Sequence, residues 1–281
     1  MNVNLVRFTL LCLAGLAVML LSPFSFAGAL PLLLACLTAL WLLSLYLKDA
    51  SIIDIFWGPG FAIQAWYYFL FASSGPGNVR NVLLCLLVSV WAVRLALHIG
   101  IRNRGKGEDF RYRQWRIDGG KNYWWISFFR VFLIQGMLMW IIGSPLLVAQ
   151  AEPRLILPTA LDGIALLLWA IGFYFEVVGD WQLTQFKADP ANRGKVMDCG
   201  LWRYTRHPNY FGDALIWWAF FLFAVQIPGG GYFVVAPLLM TFLLLRISGA
   251  ALLESALLER RPRYAEYVRK TSAFFPWFPK Q

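Results

Sequence analysis

The sequence has few charged residues for its length, since Asp, Glu, Lys and Arg make up only 14% of 281 residues. Such a chain lacks the polar surface that a water-soluble domain of this size needs, which excludes a soluble fold. Histidine and cysteine are also scarce, at two and four residues. The cysteines lack the short spacings of a zinc site or a disulfide framework, and nothing in the sequence indicates metal, haem or flavin. What the chain has in excess is hydrophobic sequence, at 59% with a mean hydropathy of +0.59.

Eight apolar segments are long enough to cross a bilayer, which takes about 20 mostly apolar residues in a helix. They cover approximately residues 6–23, 28–47, 52–73, 79–101, 124–150, 156–186, 209–227 and 231–256. The sequence therefore predicts an all-α, polytopic transmembrane bundle of about eight helices, as a single integral membrane domain over 1–281. The first segment also resembles a secretory signal peptide, and its cleavage would leave seven helices.

Basic residues cluster between particular segments, and this asymmetry predicts the orientation because loops rich in Lys and Arg stay in the cytoplasm. The block after the fourth segment contains Arg102, Arg104, Lys106, Arg111, Arg113, Arg116 and Lys121. The block after the sixth segment contains Lys187, Arg193, Lys195, Arg203 and Arg206. The tail contains Arg260, Arg261, Arg263, Arg269, Lys270 and Lys280. The opposite loops contain only Arg80 and Arg154. Both termini are therefore expected in the cytoplasm. The net charge of +10 is attributed to orientation in membrane lipids, not to nucleic acid.

Several polar side chains lie inside the apolar segments, where an ionised group costs about 2.5–3.5 kcal/mol and needs a partner. These residues are Asp54, Arg94, His98, Arg130, Gln135, Glu176, Asp180, Gln182, Arg246 and Glu254. For His98 and Arg130 a structural role near a helix end is favoured. For four others, which the eight-helix arrangement places in the cytoplasmic half, a functional role is favoured: Asp54, Arg94, Asp180 and Arg246.

The segment from Gly200 to Asp213 has the composition of an anion-binding or nucleotide-binding site. Two arginines can fork onto phosphates or carboxylates, a His and an Asn add directional hydrogen bonds, and two tyrosines offer flat faces to an adenine or nicotinamide ring. These residues are Arg203, Arg206, His207, Asn209, Tyr204 and Tyr210. Pro208 begins a helix whose N-terminal N–H groups favour negative charge. A membrane-interface belt of Trp, Tyr and Arg has the same composition, so composition alone leaves both interpretations open.

The run from Arg206 to Asp213, Arg-His-Pro-Asn-Tyr-Phe-Gly-Asp, resembles the signature of a group of membrane enzymes. The group includes steroid 5α-reductases, sterol reductases and isoprenylcysteine methyltransferases. Within it the chain most resembles the bacterial steroid 5α-reductase-like proteins, over roughly its last two thirds. Three further pieces support the resemblance: Asn103–Lys106, Asp180 followed by Lys187, and the tail Tyr264–Pro276.

This resemblance implies a bundle in a bacterial inner membrane that binds NADPH among its later helices and takes an apolar substrate from the lipid. It implies a substrate-side half at 28–123 and a cofactor-binding half at 156–281. The phosphate and ribose contacts of the family would fall on Arg94, Lys106, Asp180, Lys187, Asn209, Asp213 and Arg246.

The chain departs from the steroid 5α-reductases where those enzymes present a Gln-Glu pair and, on the next helix, a Tyr. Ile53 and Asp54 replace the pair, and Trp91 stands where the Tyr is expected. We therefore expect Asp54 to be the catalytic acidic group. The proton donor stays open, with Tyr204 and Tyr210 as candidates.

These features predict an NADPH-dependent reductase of a conjugated carbon–carbon double bond in a lipid-soluble, steroid-like or isoprenoid substrate. The alternative is a membrane methyltransferase that uses S-adenosylmethionine, since Arg-His-Pro-x-Tyr-x-Gly also occurs there. The many basic residues favour the reductase, because the methyl donor has no phosphate for them to bind. A non-enzymatic membrane protein that keeps the fold is a third hypothesis, which the missing Gln-Glu pair supports.

Overall fold

The computed structural model describes residues 3–71, 78–151, 158–247, 254 and 263–280, and these residues form helices and loops without a β-strand. The α-helices are α1 (Val3–Leu21), α2 (Ala29–Leu47), α3 (Ile52–Phe71), α4 (Val79–Asn103), α5 (Phe110–Gly119), α6 (Tyr123–Ser127), α7 (Ile134–Ile142), α8 (Ser144–Val148), α9 (Ala160–Ala188), α10 (Pro208–Ala224), α11 (Val235–Phe242) and α12 (Tyr264–Lys270). Two π-helical segments occur at Phe128–Leu133, between α6 and α7, and at Leu243–Ile247, after α11. The all-α prediction is confirmed.

Six helical stretches of the described chain are long and apolar enough to cross a membrane. They are Asn4–Leu21, Ala29–Leu47, Val79–Asn103, Phe110–Val148, Ala160–Ala188 and Gly230–Ile247. The other two predicted segments are also helical, but α10 has only 17 residues and α3 contains the polar residues Asp54 and Gln64. The polytopic helical architecture is therefore confirmed, with six stretches that meet both criteria of length and hydropathy.

The largest difference from the predicted segments follows α4, where the basic block expected as a loop contains the helix α5. Asp109 caps the start of this helix, because its side chain accepts a hydrogen bond from the Arg111 N–H at 3.0 Å. Gly120 follows the last residue of the helix and has a φ of +50°, which favours glycine. Three predicted features lie outside the described residues: the loop with Arg154, the tail residues Arg260 and Arg261, and residues 248–253 and 255–256 of the last predicted segment.

Side-chain caps explain where two of the long helices begin. Before α4, the Asn78 side chain accepts a hydrogen bond from the Arg80 N–H at 3.1 Å. Before α9, the Thr159 hydroxyl accepts from the Asp162 N–H at 3.2 Å, and the Asp162 carboxylate accepts from the Thr159 N–H at 2.9 Å. Such caps satisfy N–H groups that have no partner within the helix, so they mark the helix starts in the sequence.

The chain divides into two compact units. The N-terminal unit consists of Cys12–Pro158 and Ala224–Phe233. Within it, α3 packs closely on α4, because a Cβ atom on Gly58 would lie only 2.6 Å from the Ala92 carbonyl oxygen. The fully buried rings of Phe61 and Trp91 meet between these helices with centroids 5.9 Å apart. This packing fixes the first turn of α3, which carries Asp54.

The C-terminal unit consists of Met1–Leu11, Thr159–Phe223 and Val234–Gln281. Here α9 and α10 cross at glycines, as small residues allow between helices. A Cβ atom on Gly172 would lie 2.7 Å from the Gly212 carbonyl oxygen, and one on Gly179 would lie 3.2 Å from the Asn209 nitrogen. The close crossing brings Asp180, at 8% exposure, beside the start of α10.

Candidate functional site

Asp54, the predicted catalytic acid, lies in the first turn of α3 and is bound by two side chains of α5. Its Oδ1 accepts a hydrogen bond from the Tyr112 hydroxyl at 2.6 Å, and its Oδ2 accepts one from Arg111 Nη2 at 3.1 Å. The Asp54 side chain is only 18% exposed, so both partners act on a carboxylate that water reaches poorly. The structure thus brings an acid, a phenol and a guanidinium together.

Two further side chains extend this hydrogen-bonded cluster to α7 and back to α3. Gln135 Nε2 donates to the Tyr112 hydroxyl oxygen at 3.3 Å. Trp57 Nε1, one turn after Asp54 on α3, donates to Gln135 Oε1 at 2.7 Å. We call Asp54, Trp57, Arg111, Tyr112 and Gln135 the acid–phenol cluster.

The start of α5 is fixed by the helix cap at Asp109. Arg111 Nε donates to Asp109 Oδ1 at 2.9 Å, and the Asp109 N–H donates to the Ser51 hydroxyl at 3.4 Å. Partial burial acts to raise the pKa of Asp109, but hydrogen bonds from Arg111 outweigh it and hold this pKa below its usual value. Asp109 therefore stays charged and orients Arg111 toward Asp54.

A second carboxylate next to the cap joins α5 to the loop before α3. Glu108 Oε1 accepts a hydrogen bond from the Ala50 N–H at 2.8 Å, and both Glu108 oxygens accept from Arg116 at 2.8 and 2.9 Å. The bidentate arrangement is a strong one and leaves little freedom at this join. Glu108, which is not part of the acid–phenol cluster, thus fixes α5 relative to the start of α3.

The arrangement suits proton transfer at Tyr112, because its hydroxyl donates its one proton to Asp54 while it accepts from Gln135. Tyr112 is 4% exposed, so its proton is shielded from water. A phenol in this position can act as a general acid toward a substrate carbonyl. The sequence did not single out Tyr112, because the block that contains it indicates orientation through its basic residues and has no catalytic motif.

The two tyrosines that the sequence offered as proton donors lie in the C-terminal unit. Tyr204 is 37% exposed, and its ring meets Phe278 edge-on at 6.0 Å. The Tyr210 ring stacks on His207 at 5.5 Å with an interplanar angle of 8°.

Arg206 and His207, both predicted to bind the cofactor, contact Glu254 within the chain. Arg206 Nε and Nη2 donate to the two Glu254 oxygens at 2.7 and 3.2 Å, and His207 Nε2 lies 2.9 Å from Glu254 Oε1. Arg206 Nη1 donates to the carbonyls of Val268 and Thr271 at 3.1 and 2.9 Å. Four of the five N–H groups of this guanidinium are therefore used inside the protein.

These contacts connect α12 and the residue after it to the segment before α10. We call Arg206, His207, Glu254, Val268 and Thr271 the Arg206 anchor. Tyr267 supports it, because its hydroxyl donates to the Trp202 carbonyl at 2.5 Å. Burial raises the pKa of Tyr267, and it raises the pKa of Tyr264 to about 12, so both phenols keep their protons at neutral pH.

Asn209 and Asp180 form a second polar pair in the C-terminal unit. Asn209 Nδ2 donates to Asp180 Oδ1 at 2.9 Å, and Asn209 Oδ1 accepts from the Tyr210 N–H at 3.1 Å. Asp180 is buried, as are three other acids of α9 and α10, Asp162, Glu176 and Asp213. The pair orients a carboxylate at the start of α10, where hydroxyl groups of a ligand would find an acceptor.

The remaining predicted contacts are basic and lie at the surface or partly covered. Arg94 is half-buried in α4, and Lys106 is exposed after it; both belong to the N-terminal unit. Three others are exposed in the C-terminal unit: Lys187, Arg203 and Arg246. Arg246, which lies within the last apolar segment of the sequence, is exposed in the π-helical segment after α11.

Comparison with known proteins identifies similar sequences. The family model described as "Protein of unknown function (DUF1295)" matches residues 40–271. An uncharacterized protein of Schizosaccharomyces pombe is 27% identical over 268 residues, which cover 84% of this chain and 75% of that protein. No solved structure matches the chain. The matched range of the family model includes the acid–phenol cluster, the Arg206 anchor and the pair of Asp180 with Asn209.

Proposed function

This chain belongs to the DUF1295 family, and we propose that it is an NADPH-dependent reductase of a conjugated carbon–carbon double bond in a lipid-soluble, steroid-like or isoprenoid substrate. The run from Arg206 to Asp213, which resembles that of the steroid 5α-reductase-like membrane oxidoreductases, supports the class of reaction. The observation that carries the proposal is the 2.6 Å hydrogen bond from Tyr112 to Asp54.

In the proposed reaction, Tyr112 polarises the carbonyl group that is conjugated with the double bond. The carbonyl oxygen replaces Asp54 as the acceptor of the phenol proton, while Gln135 continues to donate to the phenol oxygen. Hydride addition at the β-carbon would move negative charge to the carbonyl oxygen, where the hydrogen bond from Tyr112 would strengthen. The Tyr112 proton would then pass to this oxygen and give an enol, which tautomerises to the reduced carbonyl compound. Arg111 donates to Asp54 and offsets part of the cost of burying its charge, so that Asp54 can relay a proton from solvent back to Tyr112.

NADPH would supply the hydride, and the polar groups of the C-terminal unit fit the charge and hydroxyls of this cofactor. Arg203 and Arg246 are exposed and form no ion pair with another residue that the structure describes, so both guanidinium groups can bind phosphate. Asp180, oriented by Asn209, suits a ribose hydroxyl. Arg206 and His207 would act indirectly, by fixing the segment that carries Asn209.

The Arg206 anchor gives the methyltransferase alternative one specific argument. The number of basic residues favoured a phosphate-bearing cofactor, but Arg206 forms an ion pair with Glu254 and no longer counts toward the argument for NADPH. Asp180 suits the ribose of S-adenosylmethionine as well as that of NADPH. The two functions therefore differ in their ligand, which can be tested before any substrate is known.

NADPH is expected to stabilise the detergent-solubilised protein, while S-adenosylmethionine leaves its melting temperature unchanged. A ligand at about 100 times its dissociation constant adds about 2.7 kcal/mol to the free energy of unfolding. Thermal unfolding with NADPH, NADH and S-adenosylmethionine in parallel measures the effect. A shift with the methyl donor alone makes the methyltransferase the better proposal, and no shift with any of them supports the non-enzymatic hypothesis.

We also propose that the chain lies in a bacterial inner membrane with both termini in the cytoplasm, as the basic blocks indicate. A reporter fused after Lys121, after Arg193 or at the C-terminus is expected to report from the cytoplasm. One inserted near Arg154 is expected to report from the periplasm. If the Lys121 fusion reports from the periplasm, the orientation is reversed, and the NADPH proposal fails with it because this cofactor is cytoplasmic.

A further inference from the structure

The last residues of the described chain are held against the segment before α10 and against the end of α12. Four hydrogen bonds of 2.8–2.9 Å to carbonyl oxygens hold them there. The Arg206 N–H donates to the Ser272 carbonyl, and the Thr205 hydroxyl donates to the Phe274 carbonyl. The Trp277 N–H donates to the Tyr204 carbonyl, and the Lys280 N–H donates to the Lys270 carbonyl. The tail is therefore a fixed part of the C-terminal unit.

This fixed backbone presents three aromatic side chains outward. Phe275, Trp277 and Phe278 are 71%, 72% and 76% exposed, whereas the neighbouring Phe274 is buried and packs on Phe211 at a centroid distance of 5.8 Å. The inward ring anchors the tail, so the outward rings cannot turn into the core by a simple rotation of the chain. Three exposed rings within four residues form an apolar patch of the kind that marks an interaction site.

The same part of the chain is basic. Residues 263–280 contain four basic side chains, all exposed, and one acid: Arg263, Arg269, Lys270, Lys280 and Glu266. Lys270 pairs with Glu266 at 3.0 Å, whereas Lys280 forms no ion pair with a residue that the structure describes. The hydrogen bond between the Lys280 and Lys270 backbones keeps these two lysines close in space, an arrangement that an anionic partner would stabilise.

We propose that this tail surface, formed by Phe275, Trp277, Phe278, Lys270 and Lys280, binds the anionic headgroup region of the bilayer that surrounds the helices. Tryptophan is enriched at membrane interfaces, and clusters of Lys and Arg are attracted to anionic lipids. A lipid surface satisfies the rings and the charges together, because it offers apolar and anionic groups within one thin layer. A free phosphate would neutralise the lysines but leave the rings in water.

The test uses the full-length protein with 5-fluorotryptophan, reconstituted in nanodiscs of equal parts phosphatidylcholine and phosphatidylglycerol. The fluorine resonance of Trp277 is assigned from the signal that Trp277→Phe removes. Its intensity is expected to be lost with a headgroup spin-labelled lipid and retained with a water-soluble gadolinium chelate. Trp217, which is fully buried, is an internal control that both reagents should leave unchanged.

Charge dependence identifies the lipid. Replacing phosphatidylglycerol with phosphatidylcholine, or combining Lys270→Gln with Lys280→Gln, is expected to restore part of the Trp277 intensity in the presence of the headgroup label. The proposal is overturned if the Trp277 resonance loses intensity with the aqueous gadolinium chelate and not with the headgroup label. Protection from both reagents also overturns it and indicates that a second copy or another protein segment covers the tail surface. If the headgroup label removes as much Trp277 intensity in pure phosphatidylcholine as in the mixture with phosphatidylglycerol, an anionic partner is excluded and the proposal fails.

Discussion

Arg206→Ala is expected to lower the free energy of unfolding by about 3–5 kcal/mol, because removing one partner of a buried ion pair leaves the other charge uncompensated. Among the described residues, Glu254 would keep His207 as its one partner, and the carbonyls of Val268 and Thr271 would lose this donor. Arg206→Lys restores the charge but not the fork, so we expect it to recover only part of this loss.

Arg203→Ala is the matched control, since Arg203 lies three residues earlier and is exposed. We expect its effect to stay within about 0.5 kcal/mol, as for most surface substitutions. Thermal unfolding in mild detergent compares the variants, and a change of 1 kcal/mol shifts the melting temperature of a chain of this size by about 2–4 °C. Equal melting temperatures for Arg206→Ala and Arg203→Ala would show that the anchor does not stabilise the fold.

Tyr112→Phe is expected to reduce kcat by about 10²–10⁴-fold, the usual contribution of a positioned proton donor. The ring and its burial are kept, so only the hydroxyl between Asp54 and Gln135 is lost. The NADPH-binding affinity should stay nearly unchanged, because the proposed cofactor contacts lie in other residues. Turnover is followed by NADPH consumption with a panel of lipid-soluble enones.

Tyr123→Phe is the matched control for this loss of activity, since the Tyr123 hydroxyl is also buried but has no hydrogen-bond partner among the described residues. Its kcat should equal that of the unmodified protein. Asp54→Asn, which removes the charge and keeps the size, should follow Tyr112→Phe in lowering turnover with NADPH affinity retained. If Asp54→Asn abolishes NADPH binding while Arg246→Ala leaves it intact, the division into a catalytic and a cofactor-binding part is wrong.

The helices are predictable from the sequence because their signals are local. A run of apolar residues sets the length of α2 or α4, and the caps Asn78 and Thr159 lie next to the helices that they begin. The partner of Asp54 is different, because Tyr112 lies 58 residues away in a block whose charge indicates orientation only. Their contact depends on how α5 packs on the start of α3, which no local pattern contains.

Arg206 shows a second limit of the sequence. Its motif indicates an anion-binding guanidinium, and the structure does provide an anion, but that anion is Glu254, 48 residues later in the same chain. A carboxylate and a phosphate accept the same pair of hydrogen bonds from arginine. Residue type and spacing therefore predict the chemistry of the contact but cannot distinguish an internal partner from a bound ligand.

The π-helical segment Phe128–Leu133 precedes α7, which carries Gln135. A π turn holds one more residue than an α turn, so this segment absorbs an extra residue without changing the helical phase of α7. Deleting one residue there would restore regular α-helical winding and leave Gln135 on the side that faces Tyr112. A one-residue deletion within a regular α-helix instead rotates the residues that follow it by about 100°. The π-helical segment is therefore the part of this stretch in which a change of one residue in length is best tolerated.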